Sequence, residues 1–342
     1  MGSLSIKHLR SGGIISNYFC TSACRHCLYN CSPHWPKDFL NPDLAEELFG
    51  RVRSLGCRSV HIGGGEPLLR PRNLEEILNR ASRSGIHIDY VETNSSWYNG
   101  SDSAHALLER LKAQGLQTLL VSISPFHNEF IPFKQVQSVI AACRQANIGT
   151  IPWITDFCSD LEGLNPNSTH AMAEFESRYG ADYLPRLLGR YWIHMGGRAL
   201  ATFRPVLPNK TLEQILAGSQ QGCIAELTDT SHFHIDLYGN YIPGLCSGLA
   251  IAQHDLGRHL DAQSYPFIST LAKHGIKGLY DLARRDFGFT PFRPGYINKC
   301  DLCTDIRTSI VQRHSDHFPE FQPEGFYGRH SSSGKAASSG SM

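Results

Sequence analysis

Three cysteines within eight residues, Cys20, Cys24 and Cys27, are the strongest chemical signal in this 342-residue chain. Soft thiolates gathered over so short a span suit an iron–sulfur cluster, and a four-iron cluster takes four ligands. Three thiolates leave one iron open, as a catalytic zinc keeps an open position, so a small molecule can coordinate it. A second set, Cys223, Cys246, Cys300 and Cys303, offers the four thiolates that close a metal's shell. Cys223 and Cys246 flank a hairpin expected around Tyr238-Gly239, and Cys300 and Cys303 form a C-x2-C expected as a knuckle before a helix over 305–314. Four cysteines do not by themselves separate iron from zinc, so structural zinc stays open as a reading of this set.

The first set also has blander readings. With Cys31 it makes four cysteines within twelve residues, which a structural zinc site would use. Cys24-x2-Cys27-x3-Cys31-Ser32-Pro33 also overlaps a ferredoxin-like spacing and would describe an electron carrier, although a carrier needs no βα scaffold around it.

The elements that must position these thiols follow a βα rhythm. Strands are expected at Ile14-Ile15, 59–62, 87–91, 119–123 and 150–154, at roughly 30-residue intervals, with amphipathic helices between them. The first helix shows the pattern: Asn41-Pro42-Asp43 offers a cap, Leu44, Leu48, Val52 and Leu55 share a face, and Gly56 stops it. Such units in series make a parallel sheet that right-handed crossovers curl into a barrel. The span to residue 200 is short for eight units, so a partial (β/α)6 TIM-type barrel is expected over 1–200. A small C-terminal α+β domain is expected over 201–328, with a helical region at 267–287, and a flexible Ser/Gly-rich tail over 329–342. The working face is then the C-terminal ends of the strands, where Cys20 falls in the first loop and Gly64-Gly65-Glu66-Pro67 in the second.

Those two motifs, in that order at those strand ends, resemble the radical S-adenosylmethionine superfamily over about residues 13–200. The resemblance implies a catalytic 4Fe-4S cluster on Cys20, Cys24 and Cys27, with S-adenosylmethionine chelating the open iron. It also implies reductive cleavage to a 5′-deoxyadenosyl radical that removes a substrate hydrogen. Gly64 and Gly65 would let the backbone approach the cofactor, and Glu66 would fix the turn or meet the ligand's positive end. Thr93, Asn94, Ser122 and Ser124, ending the third and fourth strands, stand where family members contact the methionine carboxylate and ribose. Gly197-Arg198 resembles a late Gly-Arg segment of relatives with an added cluster domain, which places Arg198 among the cofactor-binding candidates. Many members carry an aromatic residue before the third cysteine; here it is His26, whose imidazole can also stack. The second cysteine set resembles a twitch/SPASM-like domain holding one auxiliary iron–sulfur cluster.

The opening from Cys20 to Pro33 resembles radical peptide epimerases more than the molybdopterin-precursor cyclase. Epimerases return a hydrogen from a cysteine thiol, and Cys31 and Cys158 are the candidates; Leu245 and Ser247 beside Cys246 are not. The wider expectation is an oxidoreductase or isomerase that modifies a ribosomal peptide by epimerisation, thioether or carbon–carbon bond formation. The alternative is an enzyme of a small-molecule or cofactor pathway. Either needs an external electron donor such as flavodoxin or ferredoxin. Only about 12 residues precede the first strand, so a peptide enzyme of this kind would dock its substrate on the barrel or recruit a separate peptide-recognition protein.

Composition excludes other classes. With 32 Lys+Arg against 31 Asp+Glu there is no bulk field for a sequence-blind nucleic-acid or anionic-membrane binder, and no apolar run is long enough for a membrane span. Eleven cysteines, an odd number in a chain without a secretory signal pattern, point to a reducing cytoplasm and to metal or redox chemistry rather than cross-links. Cys57 and Cys143 read as buried apolar residues. The 17 histidines are assigned no role, while Trp97-Tyr98 and Tyr191-Trp192 are candidates to line a cavity.

Overall fold

A computed structural model describes residues 4–328; the tail expected over 329–342 lies outside the described residues. The first half is a run of βα units: β1 (Gly12–Ile15), α1 (Pro42–Ser54), β2 (Ser59–Gly63), α2 (Pro71–Arg83), β3 (His87–Thr93), α3 (Ser101–Ala113), β4 (Thr118–Val121), α4 (Pro125–Asn128), α5 (Phe133–Gln145) and β5 (Gly149–Pro152). The α1 pattern behaves as expected. Asn41 accepts from the Asp43 amide at 2.8 Å, and Leu48, Phe49 and Val52 are fully buried, each contributing about 1.5–3 kcal/mol. At Gly56 the backbone turns left-handed, φ +94°.

After β5 the chain makes short helices, α6 (Phe157–Glu162), α7 (Met172–Tyr179), α8 (Tyr183–Arg190) and α9 (Arg198–Phe203), then α10 (Leu212–Gly218) and α11 (Ile224–Leu227). The hairpin β6 (Phe233–Asp236) and β7 (Asn240–Ile242), with Gly239 at φ +81° in the turn, precedes β8 (Ile251–Ala252), α12 (Pro266–Phe287) and α13 (Lys299–Arg313). All eight strands form one sheet in the order β5-β4-β3-β2-β1-β6-β7-β8, parallel from β5 through β6 and antiparallel beyond. The fold is thus α/β with a partial TIM-type arrangement. Its sixth parallel strand comes from beyond residue 200: β6, buried at all four positions, docks beside β1 on the edge opposite β5. The sheet is therefore continuous across the expected domain boundary.

Two local features shape the inner face. Pairing between β2 and β3 slips by one residue, Val60 opposite Ile88 but Ile62 opposite Val91. The slip buries Val91 while Tyr90 and Glu92 face the interior cavity. Farther on, α12 is broken at Gly275 (φ +60°), where a Cβ would stand 2.3 Å from the Gln221 carbonyl oxygen. Gly222 likewise approaches Ala272, and the Cys223 amide donates to Leu271 O at 2.8 Å, so the break seats Cys223. The helix expected over 305–314 begins earlier, at Lys299. Asn298 caps it by accepting from the Cys300 and Asp301 amides, so Cys300 and Cys303 lie in its first two turns rather than in a knuckle before it. Among the described residues no helix is long and apolar enough to cross a membrane.

At the start of α12 the buried Glu320 carboxylate accepts from the Phe267 and Ile268 amides at 3.0 and 2.6 Å, and burial still raises its pKa to about 7. A raised carboxyl pKa means the folded chain holds a proton that the unfolded chain has released. Stability from this group is therefore full below pH ~4.5 and falls by about 1–3 kcal/mol as pH rises to ~7. Glu320→Gln should flatten that slope, read as the difference between variant and parent urea midpoints at pH 5 and pH 8.

Candidate functional site

The C-terminal ends of β1 to β5 surround a cavity of about 410 Å³ lined by Cys20, Cys24, Cys27 and Cys31 together with Gly64, Gly65, Thr93, Asn94 and Ser122. The cysteine loop is held from several sides. The Cys20 amide donates to Ser32 O, the Arg198 amide to Cys27 O at 3.0 Å, and the Arg198 side chain to Cys24 O at 2.9 Å and Cys31 O at 2.5 Å. Gly197 (φ +53°) makes this possible, since a Cβ there would lie 2.4 Å from the Cys27 oxygen. Arg198 thus clamps the loop that bears the thiols.

The four thiols perturb one another and all feel the Arg198 cation, which favours their anionic forms. Burial pushes Cys20 up to about 12 and raises Cys24; a hydrogen bond from the Cys31 thiol brings Cys27 down to about 6, and the same contact raises Cys31. The Asn94 side chain donates to the Cys20 sulfur at 3.4 Å. Clustered soft donors, a nearby cation and an N–H···S contact fit an anionic iron–sulfur cluster on Cys20, Cys24 and Cys27.

The glycine segment packs against the cysteine loop. A Cβ on Gly65 would lie 2.0 Å from Phe19 O, one on Gly64 2.4 Å from Asn17 O, and the Gly65 amide donates to Asn17 O at 2.7 Å. Of the two roles expected for Glu66, the structure shows the turn-fixing one. Its fully buried carboxylate accepts from the Leu68 amide (3.0 Å), the Thr93 hydroxyl (3.0 Å) and the Asn94 amide (2.6 Å), and burial raises its pKa to about 7. Thr93 in turn accepts from the Trp97 indole at 2.9 Å. Ser124 caps α4 and bonds His127 Nδ1 at 2.7 Å, and among the described residues it is not one that lines the cavity. Nor is Cys158, which lies on α6; of the two thiol candidates the structure brings only Cys31 to the site. His26 stacks between Phe126 and Trp153, at 4.8 and 4.9 Å, so both faces of its ring are covered, and its Nδ1 is buried and unbonded. Trp192, 71% exposed, lines the cavity at its rim, whereas Trp97, Tyr98 and Tyr191 do not line it.

The second set also converges. Cys223, Cys246, Cys300 and Cys303 perturb one another electrostatically, with Lys299 beside Cys223 and Cys300 and the buried Arg307 beside Cys246 and Cys300. Burial raises Cys223 to about 12 and Cys300 to about 11. Arg307 bonds Ser247 O and the Tyr327 hydroxyl, yet its Nε is buried without a partner. A buried donor left open beside four thiols fits a closed, anionic metal cluster there.

Sequence reasoning missed a third group. His61, His232 and His234 bring one ring nitrogen each within 4.8 Å of one another, with His232 and His234 on the cavity wall. The available signal was the alternation His232-x-His234 at the start of β6, together with Gly12-Gly13 in its neighbour.

Residues 14–175 match the family model described as Radical SAM superfamily. The chain is 34% identical over 119 residues to GTP 3′,8-cyclase of Aquifex aeolicus (strain VF5), covering 32% of this chain and 33% of that protein. It is 31% identical over 104 residues to AdoMet-dependent heme synthase of Methanosarcina barkeri (strain Fusaro / DSM 804), covering 30% and 28%. The matches thus span about a third of those curated relatives. Among solved structures, native anSMEcpe with bound AdoMet aligns over 89% of this chain and 97% of that one at 14% identity, with a TM-score of 0.43. Coproporphyrinogen III oxidase from Escherichia coli aligns over 82% and 81% at 13% identity, TM-score 0.35.

Proposed function

We propose that this chain is a radical SAM enzyme, dependent on S-adenosylmethionine, whose cluster is held by Cys20, Cys24 and Cys27. The observation that carries the reading is the convergence of these thiols with the Gly64-Gly65 segment in one cavity at the strand ends. When bound, the cluster and S-adenosylmethionine supply a 5′-deoxyadenosyl radical that removes a substrate hydrogen. The chain's own part is positional. Arg198 holds the cysteine loop, Glu66 holds the β2 turn to the end of β3, and Asn94 and Ser122 offer polar contacts from the cavity wall.

Cys223, Cys246, Cys300 and Cys303 hold an auxiliary cluster in this reading, which makes the C-terminal part twitch/SPASM-like. The substrate class follows less directly. We infer post-translational modification of a ribosomal peptide in the cytoplasm, with electrons from a flavodoxin- or ferredoxin-type donor. Cys31 is the thiol that reaches the cavity to return a hydrogen atom. The activities of the two curated relatives favour a second reading, a small-molecule or cofactor substrate.

Anaerobic reconstitution of the full chain is the test. About eight irons per chain, as two four-iron clusters require, and 5′-deoxyadenosine formed only with reductant are expected. Zinc in place of iron, or cofactor left intact under reduction, overturns the reading.

A further inference from the structure

From three histidines, His61 on β2 and His232 and His234 just before and on β6, the two strands that flank β1, we infer a mononuclear divalent-metal site, separate from both cysteine sets, with Glu92 as the neighbouring carboxylate. The register brings them together. Gly13 of β1 lies opposite His61 of β2 on one side and opposite His234 of β6 on the other, so both imidazoles close over a strand that has no side chain at that point. A Cβ on Gly13 would stand 2.3 Å from His61 Nε2. Gly63 gives way in the same manner to Glu92, where a Cβ would lie 2.6 Å from Oε2. Two glycines thus hollow the sheet under one nest of metal-binding groups.

The distances suit a metal. His61 Nε2 and His234 Nε2 are 3.0 Å apart, the separation of adjacent ligands each about 2.1 Å from one ion. Glu92 Oε1 lies 3.7 Å from His61 Nε2. The outer side of His234 is already oriented, with Nδ1 2.8 Å from the Tyr29 hydroxyl, and the His61 ring bonds the Gly12 backbone. Metal-bound histidines commonly carry such outer partners, which leave the inner nitrogen to the ion. Three imidazoles and a carboxylate suit zinc or a first-row ion such as ferrous iron or cobalt rather than calcium or magnesium. Tyr29, Glu92, His232 and His234 line the same cavity as the cysteine loop, so an ion held by the three imidazoles would take its remaining ligand from that side, either Glu92 or in its place an anionic or carbonyl oxygen.

The test is Co²⁺ titration of the full, cluster-loaded chain, followed by the visible absorption of the bound ion and by metal analysis. The parent should bind one more Co²⁺ per chain than His61→Ala, and the difference spectrum should show nitrogen and oxygen ligation without sulfur charge-transfer bands. His232 is exposed, so His232→Ala should fold normally while weakening that Co²⁺ by more than about tenfold, the scale reached when even an outer partner of a metal ligand is removed. Equal Co²⁺ binding by the parent and both variants, or a difference spectrum with sulfur bands, overturns the site. The readout needs no S-adenosylmethionine cleavage, so a chain that forms 5′-deoxyadenosine without this Co²⁺ would lose only the metal site, and the converse result would lose only the radical chemistry.

Discussion

Cys24→Ala is expected to remove about four irons per chain and to bring 5′-deoxyadenosine formation below detection, while leaving the irons of the C-terminal set in place. Cys24 is buried beside Cys20 and Cys27, and the loop that carries it is tied by Arg198, so losing one thiolate leaves two ligands where a cluster needs three. Cys31→Ser is the companion measurement. The Cys31 thiol bonds Cys27 and lines the cavity, so it stands either as a hydrogen donor to substrate or as a fourth metal ligand. The donor role predicts that Cys31→Ser keeps its iron and still cleaves the cofactor. Equal loss of metal in Cys24→Ala and Cys31→Ser would convert the site into a closed four-cysteine centre, with no corner for S-adenosylmethionine. Iron analysis and a single-turnover cleavage assay read both.

The second large effect is on stability. Glu66→Ala should cost about 3–6 kcal/mol, because three buried donors, the Leu68 and Asn94 amides and the Thr93 hydroxyl, lose their acceptor together at about 1–3 kcal/mol each. That is a large share of the about 5–15 kcal/mol that holds an ordinary domain. Glu66→Gln keeps the shape and one acceptor oxygen and should cost clearly less. Guanidinium midpoints of the two variants decide the matter. If Glu66→Ala unfolds like the parent and loses only affinity for S-adenosylmethionine, the carboxylate serves the ligand and the turn-fixing role fails.

How much of this was legible beforehand depends on how far apart the cooperating residues lie. Cys20, Cys24 and Cys27 sit within one loop, where residue type and spacing single out a candidate donor set before any folding, and the glycine segment is likewise local. The βα rhythm was readable because each helix buries a face of its own period, as Leu48 and Val52 do in α1. The hairpin at Gly239 was visible for a similar reason: a three-residue loop that closes on a left-handed glycine depends on its own φ preference.

The rest arises from pairing across long separations. That β6 docks beside β1 rather than β5 is a pairing between segments far apart in the chain, and no local pattern encodes that choice. The same docking sets His234 3.0 Å from His61, 173 positions away, over a glycine, so a histidine nest exists only at that register. The one-residue slip between β2 and β3 decides that Glu92 joins the cavity. Glu66 turned out to brace backbone because its neighbours across β3 supply donors that cannot be seen from its own segment. From the sequence came the thiols, their count and the scaffold's period; tertiary structure alone decided which polar side chains share the cavity with them, since in a sheet that depends on strand order and register.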